Sequence, residues 1–284
     1  MADTRIIGLL SSSFSDEFNV LVAAGVHAAA RERGYHVLAI EALPERVGAL
    51  GLSGREVSGW IAILNAKGLE ALAPPGTPAV LISSPAYGGY PQIQPDNRPS
   101  ARSLVQHLID HGHSRIAFVG VLFNVDIAER AQIYQETLRA NGIEPDPALL
   151  VGVETYAPAS GELAVRELLR DGLPCSAIVF GNDQHALAGM EAMVDLGYRV
   201  PEDVAVVGFD DIDAAQYAPS PLTTARLPSI DIGRQAAQIL LGQLDGEAPA
   251  PPMTLVPTIP MLRRSCGCLR PDEQPASPGG SWDE

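Results

Sequence analysis

The sequence predicts an α/β protein built from doubly wound parallel sheets. Three observations carry that expectation. Short apolar, β-rich runs without charge alternate along the chain with segments of helical periodicity. A glycine separates helical segments from the next strand-like run at Gly34, Gly112, Gly142 and Gly197. The apolar run 204–209 breaks abruptly into Asp210, Asp211 and Asp213, and the run 177–181 breaks into Asn182 and Asp183. Uncharged runs of this kind are strands buried on both faces, and their carboxyl ends are where open α/β sheets bind ligands.

Taken in order, residues 6–10 form the first strand. Ser15 and Asp16 offer N-cap oxygens to a helix with apolar positions Phe18, Leu21, Val22, Gly25, Val26 and Ala29, and residues 35–40 form the second strand. Gly48, Gly51 and Gly54 weaken the helix expected across 41–57, so it should be short or frayed. Strands follow at 60–64 and 79–82. Residues 85–99, rich in Pro, Gly and Tyr, then break the alternation, and Pro99 suits the first turn of a helix bearing Leu104, Val105, Leu108 and Ile109. The rhythm restarts with a strand at 116–119, a helix near 128–140, a strand near 149–153, a helix near 158–170 and a strand at 177–180. The next helix buries Ala186, Leu187, Met190, Met193 and Val194. Ile232, Ala236, Ile239, Leu240 and Leu244 make one further helical face, and residues 255–262 a final extended segment. Residues 269–284, dominated by Pro, Ser, Gly and acidic side chains, read as a disordered acidic tail.

The 284 residues suffice for one large core or two medium ones. With 19 Lys and Arg against 34 Asp and Glu, the net charge is −15, and the basic residues are scattered. Nucleic-acid affinity comes from clustered cations, so any contact with DNA is expected outside this sequence. Three cysteines do not make a secreted disulfide framework. The run 6–10 is too short for a signal-peptide core or a membrane span, and no other run reaches spanning length. The expected compartment is the cytoplasm, with no membrane partner.

Asp210 has three readings: a helix-capping carboxylate, a member of a catalytic or metal cluster with Asp211 and Asp213, or an acceptor for ligand hydroxyls. Asn182, with both donor and acceptor, and Asp183, read as the N-cap, stand at the neighbouring strand end. Arg130 offers a planar fork suited to vicinal hydroxyls or a carboxylate. His107, His111 and His113 end a helix and read as structural. Cys266 and Cys268 supply only two soft ligands, so no metal is assigned and no cofactor is expected. No nucleophile elbow, phosphate loop or dinucleotide fingerprint is present.

Gly181-Asn-Asp-Gln-His-Ala-Leu-Ala-Gly-Met190, Gly197-Tyr-Arg-Val-Pro-Glu-Asp-Val-Ala-Val-Val-Gly-Phe-Asp-Asp211 and Ser220-Pro-Leu-Thr-Thr224 occur in the order and spacing of one family. Over residues 5–264 the chain resembles the effector-binding core of LacI/GalR-family transcriptional regulators, with the type I periplasmic-binding-protein fold. The resemblance implies two doubly wound lobes joined by three crossovers, near residues 94–99, 223–228 and 254–257. One lobe would comprise residues 1–96 with 226–253, the other 97–225 with 254–265. It further implies a non-enzymatic sensor that binds a sugar or similar polar metabolite in the cleft between lobes. The contacts would come from Asp210, Arg130, Asn182, Phe18 and Ser13. Glu129-Arg-Ala-Gln-Ile-Tyr134 follows the family's Arg motif with Ile133 in place of Gly. Residues 11–18 occupy the family's first ligand loop, where Phe18 matches an aromatic position able to face a sugar ring. A homodimer is implied, as is DNA contact only through a helix-turn-helix outside this sequence. The ending Leu262-Arg-Arg-Ser-Cys-Gly-Cys268 resembles instead the end of sensor modules fused to other signalling domains. The alternatives are therefore a sensor for another output domain, or a solute-binding receptor.

Overall fold

The computed structural model describes residues 5–268, apart from residues 15, 44–45, 48–56, 65, 70–71, 74–75 and 248. The helix expected across 41–57 and the tail 269–284 fall largely outside the described residues. The chain divides into two compact units, Met1–Pro99 with Leu227–Thr258, and Ser100–Arg226 with Ile259–Glu284. It passes between them three times.

In chain order the first unit opens with β1 (Ile6–Ser11), α1 (Glu17–Glu32), β2 (His36–Glu41), β3 (Gly59–Ile63), α2 (Ala66–Leu69), β4 (Ala79–Ile82) and β5 (Gln92–Asp96). Next come α3 (Asn97–Asp110), β6 (Ile116–Gly120), α4 (Val125–Ala140), β7 (Leu150–Gly152) and α5 (Pro158–Leu168). They are followed by β8 (Ala177–Phe180), α6 (Asp183–Asp195), β9 (Ala205–Val207) and β10 (Thr224–Arg226). Last are α7 (Ser229–Leu244), β11 (Met253–Pro257) and β12 (Ile259–Met261).

The first unit is a parallel sheet in the order β11-β5-β4-β3-β1-β2. Strand alternation sends Ile7 and Leu9 to one face, where they meet Val22, Val26 and Ala29 of α1 and Ile232, Ala236 and Leu240 of α7. Leu10, Trp60 and Leu81 go to the other face with Leu69. Both faces are covered, which is why β3 and β4 carry no polar residue. Asp16 caps α1 by accepting from the Asn19 amide at 2.9 Å.

Residues 254–257, expected to open a crossover into the second lobe, instead lie in β11, parallel to β5 in the first unit. Thr258 follows, and only β12 joins the second unit, antiparallel to β10. One extended stretch thus serves two sheets, a partition that periodicity along a single strand cannot show.

The second unit holds a parallel sheet in the order β7-β6-β8-β9. Single parallel bridges, Val207 to Thr223 and Asp210 to Arg226, carry the pairing on towards β10. Ile178, Phe180, Val204 and Val206 pack with Val165, Ala186, Met190 and Met193 on one side. Tyr134 stacks near Phe118, with ring centroids 5.5 Å apart, and donates its hydroxyl to the Ile116 carbonyl at 2.7 Å.

The tightest helix contact in the first unit is between α1 and α7. A methyl group added at Gly25 would lie 2.0 Å from the Ile230 carbonyl oxygen, and one at Gly233 2.0 Å from that of Val22. Both obstacles are backbone atoms, so neither can swing away. Gly233→Val gains a few tenths of a kcal/mol in helix propensity but costs about 1–3 kcal/mol in overpacking. The expected outcome is a lowered thermal midpoint in calorimetry; an unchanged midpoint would contradict this packing.

Candidate functional site

Three loops leave the carboxyl ends of β6, β8 and β9 in the second unit, and each is shaped by a short-range device. After β6, Asn124 caps α4 by accepting from the Ile127 amide at 3.0 Å. After β8, Asn182 caps α6 by accepting from the His185 amide at 3.0 Å. Asp183, read from sequence as the cap, is instead the first helical residue, and its carboxyl is fully buried. There it accepts from the Thr224 hydroxyl at 2.6 Å and from the Ile212 amide at 3.1 Å. Gly208 makes room for it, since a Cβ there would stand 2.2 Å from Asp183 Oδ1.

The turn after β9 is held from both sides. The Asp210 amide donates to the Ala225 carbonyl at 2.9 Å. Asp211 accepts from Arg226 Nε at 2.7 Å and from Arg263 Nη2 at 2.5 Å, while Arg263 Nη1 donates to the Leu222 carbonyl at 2.8 Å. These bonds hold Asp210 and Asp211 at φ of +125° and +56°. Non-glycine residues in that region cost roughly 1–3 kcal/mol each, and such strain gathers at functional sites.

The strained turn brings Asp210 to Arg130. Arg130 lies in the second turn of α4 and is buried. Its Nη1 donates to the Gly181 carbonyl at 2.7 Å and stands 3.5 Å from Asp210 Oδ1. The guanidinium lies over the Phe209 ring, 3.7 Å from the centroid, a cation–π contact that fixes its plane. The Asp210 side chain is 20% exposed against 6% for Arg130, so the carboxylate is the more open member. An ionised carboxylate only accepts and a guanidinium only donates, so the pair can take up a hydroxyl-bearing ligand from two sides.

Loops after β6, β7 and β9 expose aromatic rings: Phe123, Tyr156 and Tyr217 respectively. The sequence reading passed over all three, although an aromatic residue in a strand-to-helix loop is itself a signal. A hollow of about 480 Å³ lined by Arg115, Asp146 and Pro174 lies at the opposite, amino ends of β6 and β8, away from these groups.

With that geometry in place, the comparisons with known proteins are decisive. The family described as periplasmic binding protein-like domain matches residues 105–266. The HTH-type transcriptional regulator CelR of Thermobifida fusca is 33% identical over 275 residues, 89% of this chain and 77% of that protein. The chain belongs to the LacI family of transcriptional regulators. AscG of Escherichia coli is 34% identical over 160 residues, 56% of this chain and 47% of its own length, so the match spans about half of that relative. Among solved structures, a CelR–cellobiose complex matches at TM-score 0.82 and 30% identity, over 92% of this chain and 84% of that one. A LacI-family regulator from Mycobacterium smegmatis matches at TM-score 0.80 and 26% identity, over 91% and 98%.

The chain is thus the effector-binding core of a LacI-type regulator, and its relatives are regulators, not enzymes. Within this LacI-family core the acidic cluster disperses: Asp211 is bound by two arginines, and Asp213 accepts from Gln216 Nε2 at 2.8 Å. The structure places Asp210 in the turn after β9, Arg130 in the second turn of α4 and Asn182 at the cap of α6, all in the second unit. Ser13 and Phe18 belong to the first unit. Ser13 follows β1 and its amide donates to Ser11 Oγ at 3.3 Å; Phe18 is half-buried against that unit's core. No helix among the described residues is long and apolar enough to cross a membrane.

Burial pushes the Asp183 carboxyl up to about 7, opposed by the bonds from Thr224 and Ile212. The folded state therefore keeps a proton that the unfolded chain, with an ordinary value of 3.8, has already released. The stability this contributes is complete below the unfolded value and is lost as pH rises through about 7. Urea unfolding at pH 5 and pH 8 should show a smaller difference for Asp183→Asn than for the parent. Equal pH dependence in the two proteins would contradict the assignment.

Proposed function

We propose that the rim formed by Asp210, Arg130 and Asn182 binds a carbohydrate effector, of which a disaccharide of the cellobiose type is the first probe. The observation that carries this is the Asp210–Arg130 pair, held at 3.5 Å by a strained turn and a stacked guanidinium. Exposed Phe123, Tyr156 and Tyr217 on the surrounding loops support a sugar, whose rings present C–H faces to aromatics. The relative solved with cellobiose supports the same ligand class. Ser13, just after β1, and Phe18, in the first turn of α1, are proposed as the first unit's contribution.

Ligand binding changes output only when one conformation binds better than another. The output is proposed to be DNA occupancy, through a helix-turn-helix segment outside this sequence, in the cytoplasm where that DNA is. Relatives named as HTH-type regulators support this. The net charge of −15 supports placing the DNA contact elsewhere. The chain is proposed to act as a homodimer, for which exposed Val20 and Ile230 on α1 and α7, and Leu163 and Val194 on α5 and α6, offer apolar surface. Sedimentation at high concentration should return twice the chain mass, and a monomer would count against the dimer.

Titration calorimetry against cellobiose and a panel of mono- and disaccharides tests the central part. A hydrogen bond to a charged group contributes about 1.5–3 kcal/mol, so Asp210→Ala should weaken binding by roughly 10- to 100-fold. Its ligand-free unfolding midpoint should stay close to the parent's. Normal affinity in a folded Asp210→Ala protein would remove Asp210 from the site, whereas loss of the fold would make it a structural carboxylate. In a separate test, the purified chain should retain no duplex DNA at submicromolar concentration. Salt-sensitive retention would overturn the placement of the DNA contact.

A further inference from the structure

His107 and His111 lie one helical turn apart at the end of α3, with the His111 amide donating to the His107 carbonyl at 3.1 Å. Facing them is the end of the described chain, a short turn at Arg264–Cys266 followed by Gly267 and Cys268. His107 Nε2 stands 3.3 Å from Cys266 Sγ and 3.2 Å from Cys268 Sγ. His111 Nε2 stands 4.0 Å from Cys268 Sγ, and the two imidazole rings are 4.4 Å apart. His107, Cys266 and Cys268, from positions about 160 apart in sequence, therefore bring their ligand atoms within 4.8 Å of one another, and His111 stands at the edge of that group beside Cys268.

From this convergence we propose that His107, His111, Cys266 and Cys268 form a zinc site. A tetrahedral zinc with bonds of about 2.3 Å to sulfur and about 2.05 Å to nitrogen needs nitrogen–sulfur edges of about 3.6 Å. The three nitrogen–sulfur distances, 3.2, 3.3 and 4.0 Å, bracket that value. Two soft thiolates with two imidazoles are the donor set that selects zinc over magnesium or calcium. His107 and His111 have the His-x3-His spacing used on helices in zinc sites. The C-x-C spacing is shorter than usual, and Gly267 compensates: its φ of +93° lets both sulfurs turn to the helix, and a Cβ there would stand 3.4 Å from His111 Nδ1.

Binding would displace one proton from each thiol, leaving a neutral centre of two thiolates, two imidazoles and Zn(II). Cys266 is fully buried, whereas Cys268 and His111 are more open, which gives the ion a way in. His113, the third histidine of the group, points elsewhere, with Nδ1 2.9 Å from Ser176 Oγ.

Four protein ligands leave no open coordination position, so the centre is structural. It would clip the strand-and-turn segment after β12 to α3. Arg263, which holds Asp211 in the strained turn, lies three residues before Cys266, and Cys266 Sγ is 3.2 Å from its carbonyl. The clip would therefore steady the support of the candidate ligand rim, although metal binding itself does not depend on what that rim binds.

The test uses the whole chain, reduced, loaded with Zn(II) and dialysed against metal-free buffer. Elemental analysis should find about one zinc per chain. Replacement by Co(II) should give the intense visible absorption of a tetrahedral ion with thiolate-to-metal charge transfer. His111→Ala and Cys268→Ser alter the more accessible ligands, so both should fold, and each should weaken zinc binding at least about tenfold. His27→Ala, on an exposed position of α1, should bind zinc as the parent does. A parent that retains no zinc, a cobalt spectrum without thiolate charge transfer, or folded His111→Ala and Cys268→Ser proteins with undiminished affinity would each overturn the assignment.

Discussion

The carboxyl of Asp183 is the point on which the second unit's carboxyl edge depends. It sits at the first turn of α6, wholly buried, yet it is bonded to the turn after β9 and to the start of β10. One side chain thereby ties three segments that the parallel sheet alone would leave as separate loop ends. The Thr224 hydroxyl extends the tie, since it donates to Asp183 and accepts from the Asp211 amide at 3.4 Å. Burying such a carboxyl is costly unless donors surround it. The donors here, the Thr224 hydroxyl and the Ile212 amide, flank the turn that carries Asp210 and Asp211 at positive φ.

A chain of support runs outward from that carboxyl to the proposed ligand contacts. Asp183 fixes the turn, Arg226 and Arg263 clamp Asp211 beneath it, and Asp210 is left at the edge beside Arg130. Arg130 is itself fixed by the Gly181 carbonyl and by Phe209. Preorganisation of this kind lowers the entropy lost on binding, because the polar groups are already in place. A sugar that replaced part of the Asp210–Arg130 contact would exchange one charge-assisted interaction for several.

The fold was legible because its signals are local. Apolar runs such as 177–180, flanked by helical periodicity and closed by Gly197, repeat through both units, and each reports its own burial. The carboxyl ends of β8 and β9 were equally legible, since the change from apolar to acidic occurs within two residues. What sequence could not supply was long-range. Asp183 reads as the cap because either it or Asn182 can cap, and only Thr224, 41 positions away, shows that its carboxyl is turned inward instead. Arg263 showed no local sign of reaching Asp211, 52 positions distant. Cys266 and Cys268 counted as an incomplete pair, because the helix end bearing His107 and His111 lies about 160 positions earlier. The split of 253–261 into β11 and β12 depends on which sheet each strand joins, and its own residues do not encode that choice.

The central claim is that a strained, internally braced turn presents Asp210 with Arg130 to the effector. A crystal structure of the chain with a bound sugar tests it most directly. The expected result is a sugar hydroxyl within about 2.7–2.9 Å of an Asp210 carboxylate oxygen. A second hydroxyl or ring oxygen should be in reach of the Arg130 guanidinium, with Asp210 and Asp211 still at positive φ. A sugar seated elsewhere, for instance beside Arg115 at the amino ends of β6 and β8, with the Asp210–Arg130 contact unchanged, would contradict it.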